Sequence, residues 1–401
     1  MSDSEALSAD FAARVVQWQR RAGRHGLPWQ GQREPYRVWL SEVMLQQTQV
    51  ATALPYYRRF LQAFPDVEAL ADAPDAEVMA HWAGLGYYSR ARNLLRCARI
   101  VAHERDGRFP DRRVELESLP GIGRSTAAAI AVFAFGRREA ILDGNVKRVF
   151  CRHDAIDGAV DAPATLQRLW QIAEQRLPRS GLETYTQGLM DLGATVCTRS
   201  RPDCGVCPLS ASCRARALGR QQDFPTPRRR AAAPKRSSCL LILRRTGPNG
   251  AQVWLPQRPS TGIWGGLRSL PEWPLDHTEP PRVVAGEDVP WSTWCARIGS
   301  GAEIDADGLA RHAASRARAL PALDHAFTHF RLRMFPWLLD VDGLPPGPLR
   351  EPTADEQAWA DLAAVTRLPL PAPIVRLLSG LSSTPGSDQA TPIHSPPASH
   401  E

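Results

Sequence analysis

The stretch from Leu119 to Lys147, LPGIGRSTAAAIAVFAFGRREAILDGNVK, decides how the rest of this chain is read. LPGIG is a tight turn that feeds directly into an apolar helix over 125–135, and a short loop then delivers Asp143 to the start of another helix, GNVKRVFCR. Gly121 and Gly123 let the backbone turn sharply and approach a ligand closely. The first N–H groups of the following helix have no partner within it and carry the positive end of its dipole, so the turn suits a phosphate. Asp143, at a helix N-cap, is the carboxylate such a turn would hold near a bound backbone. A PGxG turn before a helix is common by itself, and an N-cap aspartate usually only caps; the surrounding sequence has to supply the function.

Charge supports a polyanion partner. Of the 401 residues, positions 1–230 hold 33 Arg and Lys against 25 Asp and Glu, a balance of +8, whereas the remainder holds 16 against 17. The basic half is the one that carries the hairpin. Lys147 and Lys235 are the only lysines, so a general preference for arginine accounts for part of the excess. The opening MSDSEALSAD is acidic and lacks an apolar run, unlike a signal peptide. The longest apolar run, 127–135, is too short to span a bilayer. Eight cysteines that include a CxxC argue for reduced thiols and a metal, and the expected location is the cytoplasm, at a bacterial nucleoid.

Before residue 230 the periodicity is helical throughout. Helices are expected over 8–24, 36–54 (ended by Pro55), 56–63, 75–83, 89–105, 164–176 and 181–194. Glu42, Gln46 and Gln49 fall at i, i+4 and i+7 and would share one face, bordered by Met44, Leu45, Gln47 and Thr48. Such a polar stripe is usually just solvated, but here it is dense in amide groups suited to base edges. GLGYYSRARN (84–93) interleaves Tyr87 and Tyr88 with Arg90 and Arg92, as base stacking and phosphate contact require. Cys197, Cys204, Cys207 and Cys213 follow as C-x6-C-x2-C-x5-C, close enough to ligate one metal centre, either an iron–sulfur cluster or zinc. Cys97, Cys151, Cys239 and Cys295 have no such spacing and read as buried thiols.

A Pro/Arg/Ala linker occupies 226–237, and the pattern then changes to strands at 238–245 and 252–258, joined by a GPNG turn, and at 330–341. Helical pieces near 305–319 and 355–364 make this a mixed α/β domain over 238–370, and the tail over 371–401 reads as disordered.

SEVMLQQTQV (41–50), GLGYYSRARN, LPGIGRSTA, LDGNVKRV and the cysteine loop occur in the order of the MutY-type adenine DNA glycosylases, within the helix-hairpin-helix (endonuclease III) superfamily, and the likeness spans roughly 8–370. The resemblance implies a multidomain chain: an all-α glycosylase domain over 1–225, then a Nudix-like lesion-recognition domain. It implies a monomeric enzyme that flips adenine out of double-stranded DNA, from mispairs with 8-oxoguanine or guanine, and hydrolyses its N-glycosidic bond. Glu42 would be the general acid and Asp143 the stabiliser of the cationic sugar, the two-carboxylate logic of glycoside cleavage. Gln46, Tyr88 and Gln187 would line the adenine pocket and Asn145 support Asp143. Leu45, Gln47, Thr48, Tyr87, Gly121, Gly123, Arg124, Ser125 and Lys147 would meet the DNA. The cysteine spacing resembles the family's [4Fe–4S] loop. Ser125 stands where the endonuclease III lyases carry a nucleophilic lysine, which favours a monofunctional glycosylase over a lyase acting on oxidised pyrimidines. GIWGGLRSLPEW (262–273) resembles the family's Nudix-like domain without a nucleotide-hydrolase metal signature, and Phe327, Thr328 and His329 resemble its 8-oxoguanine-sensing loop, with threonine in place of serine. A catalytically silent DNA-binding protein is the alternative of a different class, and retention of both Glu42 and Asp143 argues against it.

Overall fold

The computed structural model describes residues 3–226, 233–259, 262–275, 289, 291–302, 305–327, 329–344 and 358–382. It divides into two compact units, 1–231 and 232–401.

The first unit is helical among its described residues: α1 (Asp3–Ala22), α2 (Pro35–Leu45), α3 (Val50–Ala63), α4 (Val67–Asp72), α5 (Asp75–Trp82), α6 (Ser89–Glu104), α7 (Arg113–Glu117), α8 (Arg124–Phe135), α9 (Gly144–Asp154), α10 (Pro163–Gln175), α11 (Leu182–Asp191) and α12 (Arg214–Ala217). α8, the apolar helix of the hairpin, is the centre. Ala127 through Val132 are all fully buried, as expected for a helix that is apolar on every side. It packs on α2, α7 and α11, so the elements carrying Glu42 and Gln187 are set against one rigid rod. A second core joins Phe11, Val15 and Trp18 of α1 to Val149 and Phe150 of α9 and Leu189 of α11, and three of the loop cysteines pack against it. Each such side chain contributes roughly 1.5–3 kcal/mol on burial, so α9 is held between α11 and the cysteine loop.

The single helix expected over 36–54 is two. α2 stops at Leu45 and α3 begins at Val50, with Gln47 at φ +56° between them. Glu42, Gln46 and Gln49 therefore share no helical face. Pro55 does not end a helix either; it sits inside α3. The expected helix over 181–194 passes at Asp191 into a π-helical turn, Leu192–Val196.

Among its described residues the second unit has a seven-stranded mixed sheet: β1 (Lys235–Gly247), β2 (Gly250–Trp254), β3 (Glu272–Leu275), β4 (Arg318–Ala319), β5 (Leu323–Ala326), β6 (Arg331–Asp340) and β7 (Trp359–Asp361), in the order β4-β6-β1-β2-β7, with β3 on β1 and β5 on β6. β1 and β6 run parallel, and the pairs Cys239–Phe335, Leu241–Trp337 and Leu243–Leu339 line one face. These six residues form a core with Trp291, Trp294 and Leu309 of α13 (Trp291–Ala302) and α14 (Ala306–Arg316). Three expectations need correction. The linker cannot extend to 237, because β1 already starts at Lys235. The segment near 355–364 gives a short strand, β7, and a 3₁₀ turn, Leu362–Arg367, because β2 offers an edge that Trp359–Asp361 can pair with. The tail is ordered as α15 (Ala372–Ser382), which buries Ile374 and Leu378; 383–401 lie outside the described residues.

Candidate active site

Asp143 is the N-cap of α9. Its Oδ1 accepts the Val146 N–H at 2.7 Å and its Oδ2 accepts the Asn145 side-chain amide at 3.4 Å. Burial raises its pKa, but the N–H groups of Val146 and Asn145 and the charge of Arg148 pull it back, so the ionised form has partners. Glu42, on α2, is treated differently. Burial first, then the charge of Asp143, pushes its carboxyl up to about 8. No donor offsets that rise. Burial raises both carboxyls; Glu42, with no donor, is held protonated at neutral pH, and Asp143 alone has N–H donors and a guanidinium charge that favour its ionised form.

Glu42 opens onto a cavity of about 310 Å³ whose walls include His25, Trp29, Arg33, Phe133, Glu183 and Gln187. The Arg33 and Glu183 side chains pair across it at 2.7 Å. Gln187 is buried and on this wall. Gln46 and Tyr88 do not line this cavity. Gln46 caps α2 and donates to Gly121 O (3.2 Å) and Thr126 Oγ1 (3.3 Å), bracing the hairpin. The Tyr88 hydroxyl accepts the Gly84 N–H at 3.2 Å.

A second cleft brings together Gln46, Gln47, Tyr87, Arg90, Pro120 and Gly121, so three separate loops meet at one surface. Gly121 is at φ +78°, and a Cβ there would lie 2.8 Å from Asn93 Cβ, so both conformation and space demand glycine. Gly123 caps α8, and a Cβ placed there would meet nothing within 4 Å, so the helix N-terminus is open. Tyr87 is 44% exposed although apolar and large, and it shares a positive φ (+48°) with Gln47. Backbone strain of this kind costs on the order of 1–3 kcal/mol per residue and needs enforcement. Arg90 supplies it. Its Nη1 donates to the carbonyls of Val43, Met44 and Gln46 at 2.5–3.0 Å, and its Nη2 donates to Thr48 Oγ1 at 3.0 Å. Leu45 is the half-buried last residue of α2 beside this cleft. Ser125 faces inward: its hydroxyl accepts the Leu142 N–H at 3.0 Å and ties the hairpin helix to the Asp143 loop. Arg124 lies 3.8 Å over Trp170 and pairs with Glu174 at 2.6 Å. Lys147 is half-buried on α9.

The four loop cysteines line one cavity with Arg152 and Gln221. Arg152 donates to Cys197 Sγ at 3.4 Å and to the carbonyls of Thr198 and Arg199, so α9 holds the loop. Arg148 does the same one turn earlier, donating to Cys197 O (2.7 Å), Gly193 O (2.6 Å) and Asn145 Oδ1 (2.8 Å). Burial first, and then neighbouring thiolate charge, pushes Cys207 up to about 12. Four thiols crowded in this way ionise together only with a compensating cation. No three His, Cys, Asp or Glu side chains among the described residues converge on a single-ion site; the thiols frame a space.

In the second unit Phe327 stacks on Phe330 at 4.5 Å and abuts Trp264 at 5.3 Å, and its N–H bonds Phe330 O at 2.9 Å, closing a tight loop. His329 is exposed on that loop, and Thr328 lies outside the described residues. Sequence reasoning did not single out Arg24, Arg148, Arg152 or Asp191, each of which has a partner more than forty residues away, and it gave Arg90 only a phosphate.

A neutral carboxyl on a cavity wall, a second carboxyl near enough to interact with it and a hairpin with an open helix N-terminus suit cleavage of N-glycosidic bonds in a phosphodiester polymer. The comparisons agree. The family described as HhH-GPD superfamily base excision DNA repair protein matches residues 40–175, and the NUDIX domain family matches 240–380. The chain is 30% identical to an adenine DNA glycosylase of Buchnera aphidicola subsp. Schizaphis graminum over 92% of this chain and 97% of that protein. It is 37% identical to an adenine DNA glycosylase of Buchnera aphidicola subsp. Baizongia pistaciae over 66% of this chain and 74% of that protein. Against the human adenine DNA glycosylase the identity is 37%, over 65% of this chain and 57% of that protein. The chain belongs to the MutY-type adenine DNA glycosylases, and it is a base-excision repair enzyme. No helix among the described residues is long and apolar enough to cross a membrane.

Proposed function

We propose that this enzyme excises adenine from duplexes in which it is mispaired with 8-oxoguanine or guanine, acting as a monofunctional monomer on cytoplasmic, nucleoid DNA. The observation that carries the chemistry is the interacting pair of Glu42, protonated by burial, and Asp143, which alone has donors for its ionised form. Glu42 gives its proton to the departing adenine, and Asp143, ionised and held by α9 and Asn145, stabilises the oxocarbenium-like sugar. Asp143 cannot drift, because Asn145 is locked by Arg148. The cleft of Gln47, Tyr87 and Gly121 inserts around the opposite base and grips the backbone, and the open N-terminus of α8 takes a phosphate. Ser125 is committed to the Leu142 N–H and offers no amine, so base release is hydrolytic.

Cys197, Cys204, Cys207 and Cys213 would hold a [4Fe–4S] cluster, whose positive charge would let the four thiols ionise side by side. Thiols framing a space, with Arg152 and Gln221 donating to sulfur, fit such a group better than a lone zinc ion. Phe327, Thr328 and His329 would sense the 8-oxoguanine. Support comes from Phe327, which is braced by Phe330 and Trp264, beside an exposed His329. His329→Ala and Phe327→Ala in the full chain should lower the rate ratio for adenine opposite 8-oxoguanine over guanine while leaving excision opposite guanine measurable. An unchanged ratio would move lesion recognition to the helical unit.

A further inference from the structure

Gln187 stands on the wall of the Glu42 cavity, and its amide cannot choose which end it presents. Its Nε2 donates to Asp191 Oδ1 at 2.8 Å. Asp191 is fully buried, one turn further along α11. Arg24 Nε also donates to Oδ1, at 2.6 Å, and the Arg24 backbone N–H donates to Oδ2 at 2.8 Å. A carboxylate paired with a guanidinium only accepts. The amide must therefore turn its NH₂ toward Asp191, which leaves the carbonyl oxygen for the cavity. Arg24 is anchored in turn: its carbonyl accepts Gln30 Nε2 at 3.0 Å, while Gln30 Oε1 accepts the Leu27 N–H at 3.1 Å. The segment that brings Trp29 to the cavity is thus tied to the same carboxylate.

We propose that Asp191 is a specificity-positioning residue which, with Arg24, fixes Gln187 as a hydrogen-bond acceptor and so selects purines with a 6-amino group against those with a 6-oxo group. The inference rests on the adenine-releasing function proposed above. Glu42 as a carboxylic acid presents a donor, and Gln187 presents an acceptor beside it. On its N7 edge adenine offers an acceptor nitrogen next to a donor amine and complements that pair; on the same edge a 6-oxo purine offers two acceptors and sets oxygen against oxygen. The relay is static and needs no rearrangement at the moment of binding, because Asp191 is buried and paired before any base arrives. Discrimination by a site whose buried polar group would be left opposed to the wrong partner is large compared with discrimination by shape alone.

The test uses the full chain and duplexes carrying either adenine or hypoxanthine opposite guanine, with single-turnover release measured on both. Intrinsic differences between the two leaving bases cancel when variants are compared with the parent as a ratio of rates. Gln187→Met keeps the Arg24–Asp191 pair and removes the acceptor; the adenine-to-hypoxanthine ratio should fall at least about tenfold. Asp191→Asn gives Gln187 a partner that both donates and accepts, so its amide can reverse, and the ratio should fall in the same direction. Should Asp191→Asn fail to fold, as a thermal melt would reveal, Asp191→Ser, which also both donates and accepts, is read by the same ratio, and a parental ratio there overturns the positioning role. A parental ratio in Gln187→Met protein that still binds duplex overturns the assignment and leaves the proposed function standing. Absence of adenine release by the parent enzyme would overturn both.

Discussion

Replacing Glu42 with glutamine should produce an enzyme that is both inactive and more stable, and the structure gives the size of each effect. The carboxyl rises from an ordinary 4.5 to about 8, because of burial first and the Asp143 charge second. At neutral pH it is protonated in the folded protein and ionised in the unfolded chain. Ionisation therefore opposes folding: the stability present below the unfolded value of 4.5 is lost progressively as pH climbs through the folded value of about 8. At about 1.36 kcal/mol per tenfold difference in proton affinity, the cost at pH 7 is roughly 3 kcal/mol. Glutamine keeps the shape and carries no charge, so it escapes that cost and should raise the melting temperature of the helical unit by several to about 10 °C at pH 7. The gain should vanish near pH 4.5, where both proteins are neutral at this position. The same substitution removes the proton donor, and loss of a general acid costs about 10²–10⁴ in rate. Parental release should also decline above about pH 8 as Glu42 ionises, a limb the variant lacks. The assays are thermal melts across pH and single-turnover adenine release. A variant that retains release within about tenfold, or that is equally stabilised at acid and neutral pH, would refute the buried-acid argument.

Asp143→Asn should likewise abolish release while duplex affinity, measured by anisotropy, is kept or tightened, since removing a carboxylate eases contact with a polyanion; parental release rates would remove Asp143 from the chemistry. Anaerobically purified protein should contain about four irons and four sulfides per chain, and stoichiometric zinc without sulfide in active protein would replace the cluster. Gly193→Ala should cost about 1–3 kcal/mol and slow release, because the new Cβ would meet Asn145 Cβ at 2.5 Å and its backbone at 3.0 Å, pushing the turn that holds Asp143; parental stability and rate would contradict this. Borohydride should trap little covalent product, as Ser125 offers no amine, and strand cleavage keeping pace with base release would make the enzyme bifunctional.

What was legible in the sequence is what local physics encodes. The hairpin glycines, the buried helix after them and the Asp143 cap are each set by residues within a turn of one another, and all appear where expected. The break between α2 and α3 was not legible, because Arg90, more than forty residues away, takes the carbonyls that a continuing helix would have used. The shared face that helical spacing gave Glu42, Gln46 and Gln49 failed with that break, and Gln46 braces the hairpin instead. The role of Asp191 depends on Arg24, 167 residues away. The π-helical turn after it lets Gly193 back onto Asn145, a close approach that no periodicity announces. In the second unit, α15 follows a Pro-rich stretch that masks it, and only the burial of Ile374 and Leu378 orders it.

Single-turnover base release by the full chain bears most directly on adenine excision, measured on three duplexes that differ only in the base facing adenine: 8-oxoguanine, guanine or thymine. Release should be fast opposite 8-oxoguanine, slower opposite guanine and negligible opposite thymine, with an intact sugar–phosphate backbone after each. No adenine release from either mispair, or strand cleavage at oxidised pyrimidines in its place, would contradict an adenine glycosylase that works through Glu42 and Asp143.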